Sequence, residues 1–85
     1  MPEIKVGYVN EYFAKVGVAG IEITDDYLSV GDTIHIKGHT TDFTQRVDSI
    51  QLEHQTLQRA EPGQVIGVKV RERVRLHDQV FKVTE

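Results

Sequence analysis

The chain has 85 residues, no cysteine and a formal net charge of −3, bounds that fit one small domain with a modest core, because surface dominates at this length. Lack of cysteine excludes a disulfide framework, a thiolate metal site, a redox pair and a cysteine nucleophile. The acidic balance argues against a protein that coats nucleic acid or an anionic membrane over its whole surface, and leaves room for a local basic patch. The longest nearly apolar run, Val16 to Ile21, falls far short of a membrane span. These features lead to the expectation of a single domain over residues 1–85 in the cytoplasm.

Two-residue alternation of apolar and polar side chains is the dominant periodicity and predicts strands. A first strand is expected over Ile4, Val6, Tyr8, Val9, Tyr12 and Phe13. A second covers Val16, Val18, Ile21 and Ile23, with Gly17 and Gly20 at points of tight approach or kink. After turn chemistry at Asp25-Asp26 and Val30-Gly31-Asp32, the segment Thr33 to Lys37 turns Ile34 and Ile36 inward and Thr33, His35 and Lys37 outward. From Phe43 to Glu53 the apolar phase slips between Val47 and Ile50, which predicts a bulge at Asp48-Ser49. Only Leu57 to Glu61 has the makings of a helical turn, and it is too short to matter.

Pro62-Gly63 suits the central positions of a type II turn. Beyond it, Ile66, Val68, Val70, Val74 and Leu76 share one parity, and Lys69, Arg71, Arg73 and Arg75 the other. This predicts one long half-buried strand that bends near Glu72. Gln79 to Val83 closes the series. Leu28 to Ile34 and Val74 to Val80 share an apolar-x-apolar-x-Asp-x-apolar frame, which puts His77 at the position of Gly31 and predicts positive φ there. Strands with regular turns and no covering helix predict an all-β fold, a six-stranded closed Greek-key barrel.

The segments Leu28-x-Val30-Gly31-Asp32-x-Ile34-x-Ile36-x-Gly38, Val47-x-Ser49-Ile50, Ala60-Glu61-Pro62-Gly63-x-x-Ile66-Gly67-Val68 and Asp78-x-Val80-Phe81 resemble the second, β-barrel domain of translation elongation factor Tu. The resemblance runs from about Lys5 to Val83. It implies a stand-alone elongation-factor-like barrel of the kind that, in the full factors, helps hold the end of aminoacylated tRNA and touches ribosomal RNA. The chain has no Gly-x-x-x-x-Gly-Lys-Ser/Thr loop to cradle nucleotide phosphates, so GTP hydrolysis by the chain itself is excluded.

Two surfaces stand out as candidates. Lys69, Arg71, Arg73 and Arg75, on alternate positions of one strand, span roughly 20 Å at about 3.3 Å per residue. Charge is segregated too: residues 1–63 carry net −5 and residues 64–85 net +2. Such a row is either an RNA-facing ribbon or a solvated face paired with acidic neighbours such as Asp48 or Glu53. The loop Gly38-His39-Thr40-Thr41-Asp42-Phe43, next to Lys37 and Arg46, offers hydroxyls with a histidine and an aromatic for stacking. Its alternative reading makes Phe43 a core residue and Thr-Thr-Asp a self-satisfied turn. His35 and His39 lie about 13 Å apart along a strand, too far to share a metal ion.

Neither Ser29 nor Ser49 sits in a nucleophile elbow, and Asp25-Asp26 read as a turn rather than an acid pair. The expectation is therefore a non-catalytic translation-associated module that binds RNA or a ribonucleoprotein, the ribosome included. Its candidate contacts are Lys37, His39, Thr40, Thr41, Lys69, Arg71, Arg73 and Arg75, with no cofactor, metal, nucleotide or membrane. The alternative is a protein–protein interaction module that docks on a GTPase or another enzyme.

Overall fold

The computed structural model describes residues 2–84. Ten strands run through them: β1 (Glu3–Phe13), β2 (Val18–Ile23), β3 (Leu28–Ser29), β4 (Thr33–Lys37), β5 (Asp42–Arg46), β6 (Ile50–Leu52), β7 (Gln55–Leu57), β8 (Arg59–Ala60), β9 (Val65–Lys69) and β10 (Gln79–Val83). Eight of them form one antiparallel sheet in the order β5-β4-β10-β1-β2-β9-β6-β7, and β3 pairs with β8 in a small second sheet. The all-β expectation holds. The barrel expectation does not, because the backbone ladder ends at β5 on one side and β7 on the other.

Alternation sets the inner face. Val6 and Val9 of β1, Ala19, Ile21 and Ile23 of β2, Ile34 and Ile36 of β4 and Val80 of β10 are fully buried. Each such Val or Ile contributes about 1.5–3 kcal/mol relative to exposure. The register of β1 slips between Lys5 and Gly7 against β10, and between Val9 and Glu11 against β2. These irregularities let one long strand serve two neighbours as it bends. At Gly7 a Cβ would run into the backbone carbonyl of Glu22, so only glycine permits the approach.

The repeated Asp frame is a repeated structure. Ser29 N–H donates to the Asp32 carboxylate at 2.8 Å and Arg75 N–H to the Asp78 carboxylate at 2.9 Å. In return, Asp32 N–H donates to Ser29 C=O at 3.0 Å and Asp78 N–H to Arg75 C=O at 3.2 Å. The turn that holds Gly31 exchanges two backbone bonds with Val47, and the turn that holds His77 exchanges two with Val9. Gly31 has φ +97° and His77 +73°, as the frame predicts. Each turn launches a strand, and the two strands, β4 and β10, pair with each other around His35 and Phe81.

Three expectations need correction. The stretch from Ile66 to Leu76 is not one strand: β9 ends at Lys69, and after one further bond in the same register, Val70 N–H to Gly17 C=O, the chain leaves β2. From there residues 70–78 form a connection. Val74 stays buried, but Leu76 is 56% exposed in the Asp78 turn. The phase slip at Asp48-Ser49 is a break between β5 and β6 rather than a bulge within one strand, since Val47 pairs with the Gly31–Asp32 turn. Leu57 to Glu61 holds strand rather than helix.

The Pro62-Gly63 turn closes as expected, with Gln64 N–H donating to Glu61 C=O and Gly63 at φ +97°. The β6–β7 hairpin turns on Glu53 and His54, both at positive φ, a geometry usually supplied by Asn-Gly. Asp78→Ala is expected to cost about 1–2 kcal/mol in urea unfolding, because the Arg75 N–H loses its acceptor beside a buried site. His77→Gly should stay within about 0.5 kcal/mol of the parent, since relief at positive φ offsets the added freedom of the unfolded chain.

Candidate functional site

With the strand cut short at Lys69, the four cations do not form a straight ribbon. Lys69 ends β9, and Arg71, Arg73 and Arg75 ride on the connection that follows. All four are exposed, and among the described residues none forms an ion pair with a carboxylate. The arginines have other partners. Arg71 Nη2 donates to Thr44 C=O at 2.7 Å, the Arg73 guanidinium lies 5.9 Å from the centre of the Tyr12 ring, and Arg75 Nε donates to the Thr40 hydroxyl at 2.8 Å.

The loop after β4 folds under the second Asp turn. Gly38 N–H donates to Thr41 C=O at 2.7 Å, and a Cβ on Gly38 would collide with the Asp78 carboxylate. Thr41 is buried and Phe43 belongs to the core, which leaves His39 and Thr40 exposed at the tip. Arg75 thus joins this loop, whereas Lys37 opens onto a different hollow beside His77, Gln79 and Phe81. The residues proposed from sequence are therefore split. Lys69 and Arg71 lie at the end of β9, Arg75 meets Thr40, and Lys37 stands apart.

Sequence reasoning missed what holds Lys69 and Arg71 in place. On β5 and just beyond it, Phe43, Gln45 and Val47 share the inward parity, and Gln45 is the polar member of the three. Its side-chain NH2 donates to Lys69 C=O at 2.8 Å, and its side-chain carbonyl accepts from Arg71 N–H at 2.9 Å. A side-chain amide here makes the two bonds that a peptide group of a neighbouring strand would make. The result is a seam between β5 and the end of β9, open as a backbone ladder and closed by side chains, Gln45 from one edge and Arg71 from the other.

Lys82 is the second inward polar residue. It shares the parity of Val80 on β10 and is 6% exposed. Its ammonium donates to Tyr27 C=O at 3.0 Å, sits 3.5 Å from the Tyr27 ring centre and lies 3.7 Å from the Asp26 carboxylate. On the ring, Arg59 adds a second cation at 3.9 Å, itself paired with Glu61 at 2.7 Å. A polar residue on an inward parity has to find partners, and that rule marks both Gln45 and Lys82 in the sequence.

His35, at the centre of the β4–β10 pair, joins the two strands that flank that pair, β5 and β1. Its Nε2 is 2.6 Å from the Asp42 carboxylate and its Nδ1 2.9 Å from that of Glu3. The hydrogen bond to Asp42, aided by Glu3 and opposed by partial burial, raises the His35 pKa above its ordinary 6.5. Further along the same face the Tyr8 hydroxyl donates to Glu22 at 2.7 Å, a bond that raises the phenol pKa. Among the described residues no cluster of three or more His, Cys, Asp or Glu is placed to hold a metal ion.

These elements define a helix-free antiparallel β-domain with an eight-stranded sheet. No protein-family model matches the chain. It is 41% identical over 81 residues to a collagenase of Porphyromonas gingivalis, a match that covers 94% of this chain and 20% of that protein. It is 39% identical over 84 residues, 98% of its length, to an uncharacterized protease of Methanocaldococcus jannaschii, again 20% of that protein. The chain thus spans about a fifth of the length of the curated relatives it matches.

Among solved structures, the C-terminal domain of a Geobacillus thermoleovorans protein described as a U32 peptidase superposes with a TM-score of 0.87 at 25% identity, over 96% of this chain and 93% of that one. The relatives are collagenases and peptidases, which overturns both the elongation factor Tu resemblance and the translation-associated RNA-binding function drawn from it. The misleading motifs were turn glycines, a Pro-Gly turn and inward aliphatics. Such residues report backbone geometry, which unrelated functions share.

Raising His35 above its unfolded value stabilises the fold while the imidazole is protonated. That contribution is complete below about pH 6.5 and is lost as pH rises through the raised folded value. The urea midpoint of the parent should therefore fall as pH is raised beyond 6.5, and His35→Gln should flatten that part of the profile. An unchanged slope in the variant would assign it elsewhere. Tyr27→Leu, which removes the ring between Lys82 and Arg59, should cost about 1–2 kcal/mol in the same measurement.

Proposed function

We propose that the chain is a non-catalytic, protease-associated module that docks on a proteolytic enzyme body of the collagenase and U32 peptidase kind. The observation that carries this reading is the 41% identity running through 94% of the chain to one fifth of a collagenase. In such a protein the matching stretch has the other four-fifths of the polypeptide as its neighbour. Docking on an enzyme, the alternative weighed for the sequence, thereby becomes the principal reading.

The surface supports it at one end of the sheet. The β1–β2 turn and the connection after β9 lie side by side, joined by the Val70 N–H to Gly17 C=O bond of 2.9 Å. Together they expose Phe13 (47%), Val16 (61%) and Leu76 (56%). Leu76 also lines a hollow of about 350 Å³ with Glu11, Tyr12 and Arg73. Apolar side chains rimmed by Arg73, Arg75 and Glu11 make a surface of the mixed kind that protein partners cover.

The direct test removes the matching stretch from the Porphyromonas gingivalis collagenase and adds this chain back as a separate molecule. Sedimentation should show a complex, and a Val16→Asp, Leu76→Asp variant with an unchanged urea midpoint should weaken it at least about tenfold. A parent chain that fails to associate would contradict the docking reading.

A further inference from the structure

An open cleft of about 410 Å³ lies over the seam between β5 and the end of β9. Gln45, Arg46, Asp48, Ser49, Lys69 and Arg71 line it. Three cations thus face one carboxylate, and among the described residues none of the three forms an ion pair. Arg71 spends Nη2 on Thr44 C=O and keeps further N–H donors in its fork. Ser49 adds a hydroxyl. Beneath these groups, the Lys69 C=O and Arg71 N–H are bonded by the Gln45 side-chain amide, which single-bond rotations can carry away.

The geometry points to this cleft as a binding site for the carboxylate of an extended peptide. Arg46, Lys69 and Arg71 hold the anion, and the peptide backbone takes the Lys69 C=O and Arg71 N–H from Gln45. The backbone chemistry matches, because the incoming peptide group offers the same donor and acceptor as the amide it displaces. The charge also matches, since carboxylates gain most from guanidinium partners already free of competing acids. The assignment to peptides rests on the protease-associated reading: cleavage of a peptide bond leaves a new α-carboxylate on one fragment. An acidic side chain presents the same group, so the two sources have to be separated by experiment.

The test is a titration of the 85-residue chain, followed by amide NMR shifts, with three extended pentapeptides of otherwise neutral composition. One ends in a free carboxylate, one is its C-terminal amide, and one is the amide with a central glutamate. Binding of the free acid alone assigns the site to peptide termini, and binding of both acids assigns it to peptide carboxylates in general. The Arg71 amide and the Gln45 side-chain NH2 should be among the resonances that move most. Arg46→Gln with Lys69→Gln, which removes no structural hydrogen bond seen here, should weaken binding about tenfold or more. Gln45→Ala, if its urea transition shows it folded, should bind more tightly because no side chain must be displaced.

Equal binding of all three peptides, binding of neither acid, or shifts confined to the far side of the sheet would each overturn the proposal. Those outcomes leave the docking experiment untouched, because neither of its variant positions, Val16 and Leu76, lines the cleft.

Discussion

A side-chain amide stands where the wall of this small protein would otherwise have a gap. The sheet curls until β5, one end of the ladder, comes close to the end of β9, but no backbone bonds join them. Gln45 bridges the two through Lys69 C=O and Arg71 N–H, and Arg71 returns a bond to Thr44 C=O. Phe43 and Val47 on one side and Val68 and Val70 on the other are buried core residues, so the amide closes the rim above them. A neutral hydrogen bond contributes only about 1 kcal/mol net. Such a seam is therefore firm enough to complete the fold and weak enough to be opened by a competing peptide group.

The rest of the sheet is held more firmly, by two copies of one device. Each Asp turn satisfies its own backbone through a carboxylate, exchanges two backbone bonds with Val47 in one copy and Val9 in the other, and starts one of two adjacent strands. Positive φ is met by glycine in one copy and histidine in the other. Because β4 and β10 then pair around His35 and Phe81, the imidazole sits where it can tie Glu3 on β1 and Asp42 on β5 to that pair.

Much of this was legible in the residues. Alternation located β1, β2, β4 and β10, and the Asp frame forecast the backbone of His77. Alternation failed after Lys69 because it records burial rather than pairing: Val74 stays buried on a connection that has left the ladder. Closure failed for a related reason, since inward aliphatics require a curled sheet but do not say whether backbone or a side chain completes it. Gln45 and Lys82 were visible as polar residues in apolar register, and that signal outranks the basic row in marking the seam. The functional resemblance rested on turn chemistry, which any chain with these bends must use. The identity to a collagenase runs through the whole sheet instead.

Docking through the apolar end and capture of peptide carboxylates at the seam are compatible, because the two surfaces are formed by different residues. Capture depends on the seam being closed by Gln45 rather than by strand pairing. Native-state hydrogen exchange at the Arg71 amide tests this most directly. Replacement of Gln45 by alanine should bring that amide close to its unprotected rate while the Ile34 and Ile36 amides keep theirs. Undiminished protection of Arg71 in the variant would mean that backbone closes the wall, and the account of an openable seam would be wrong.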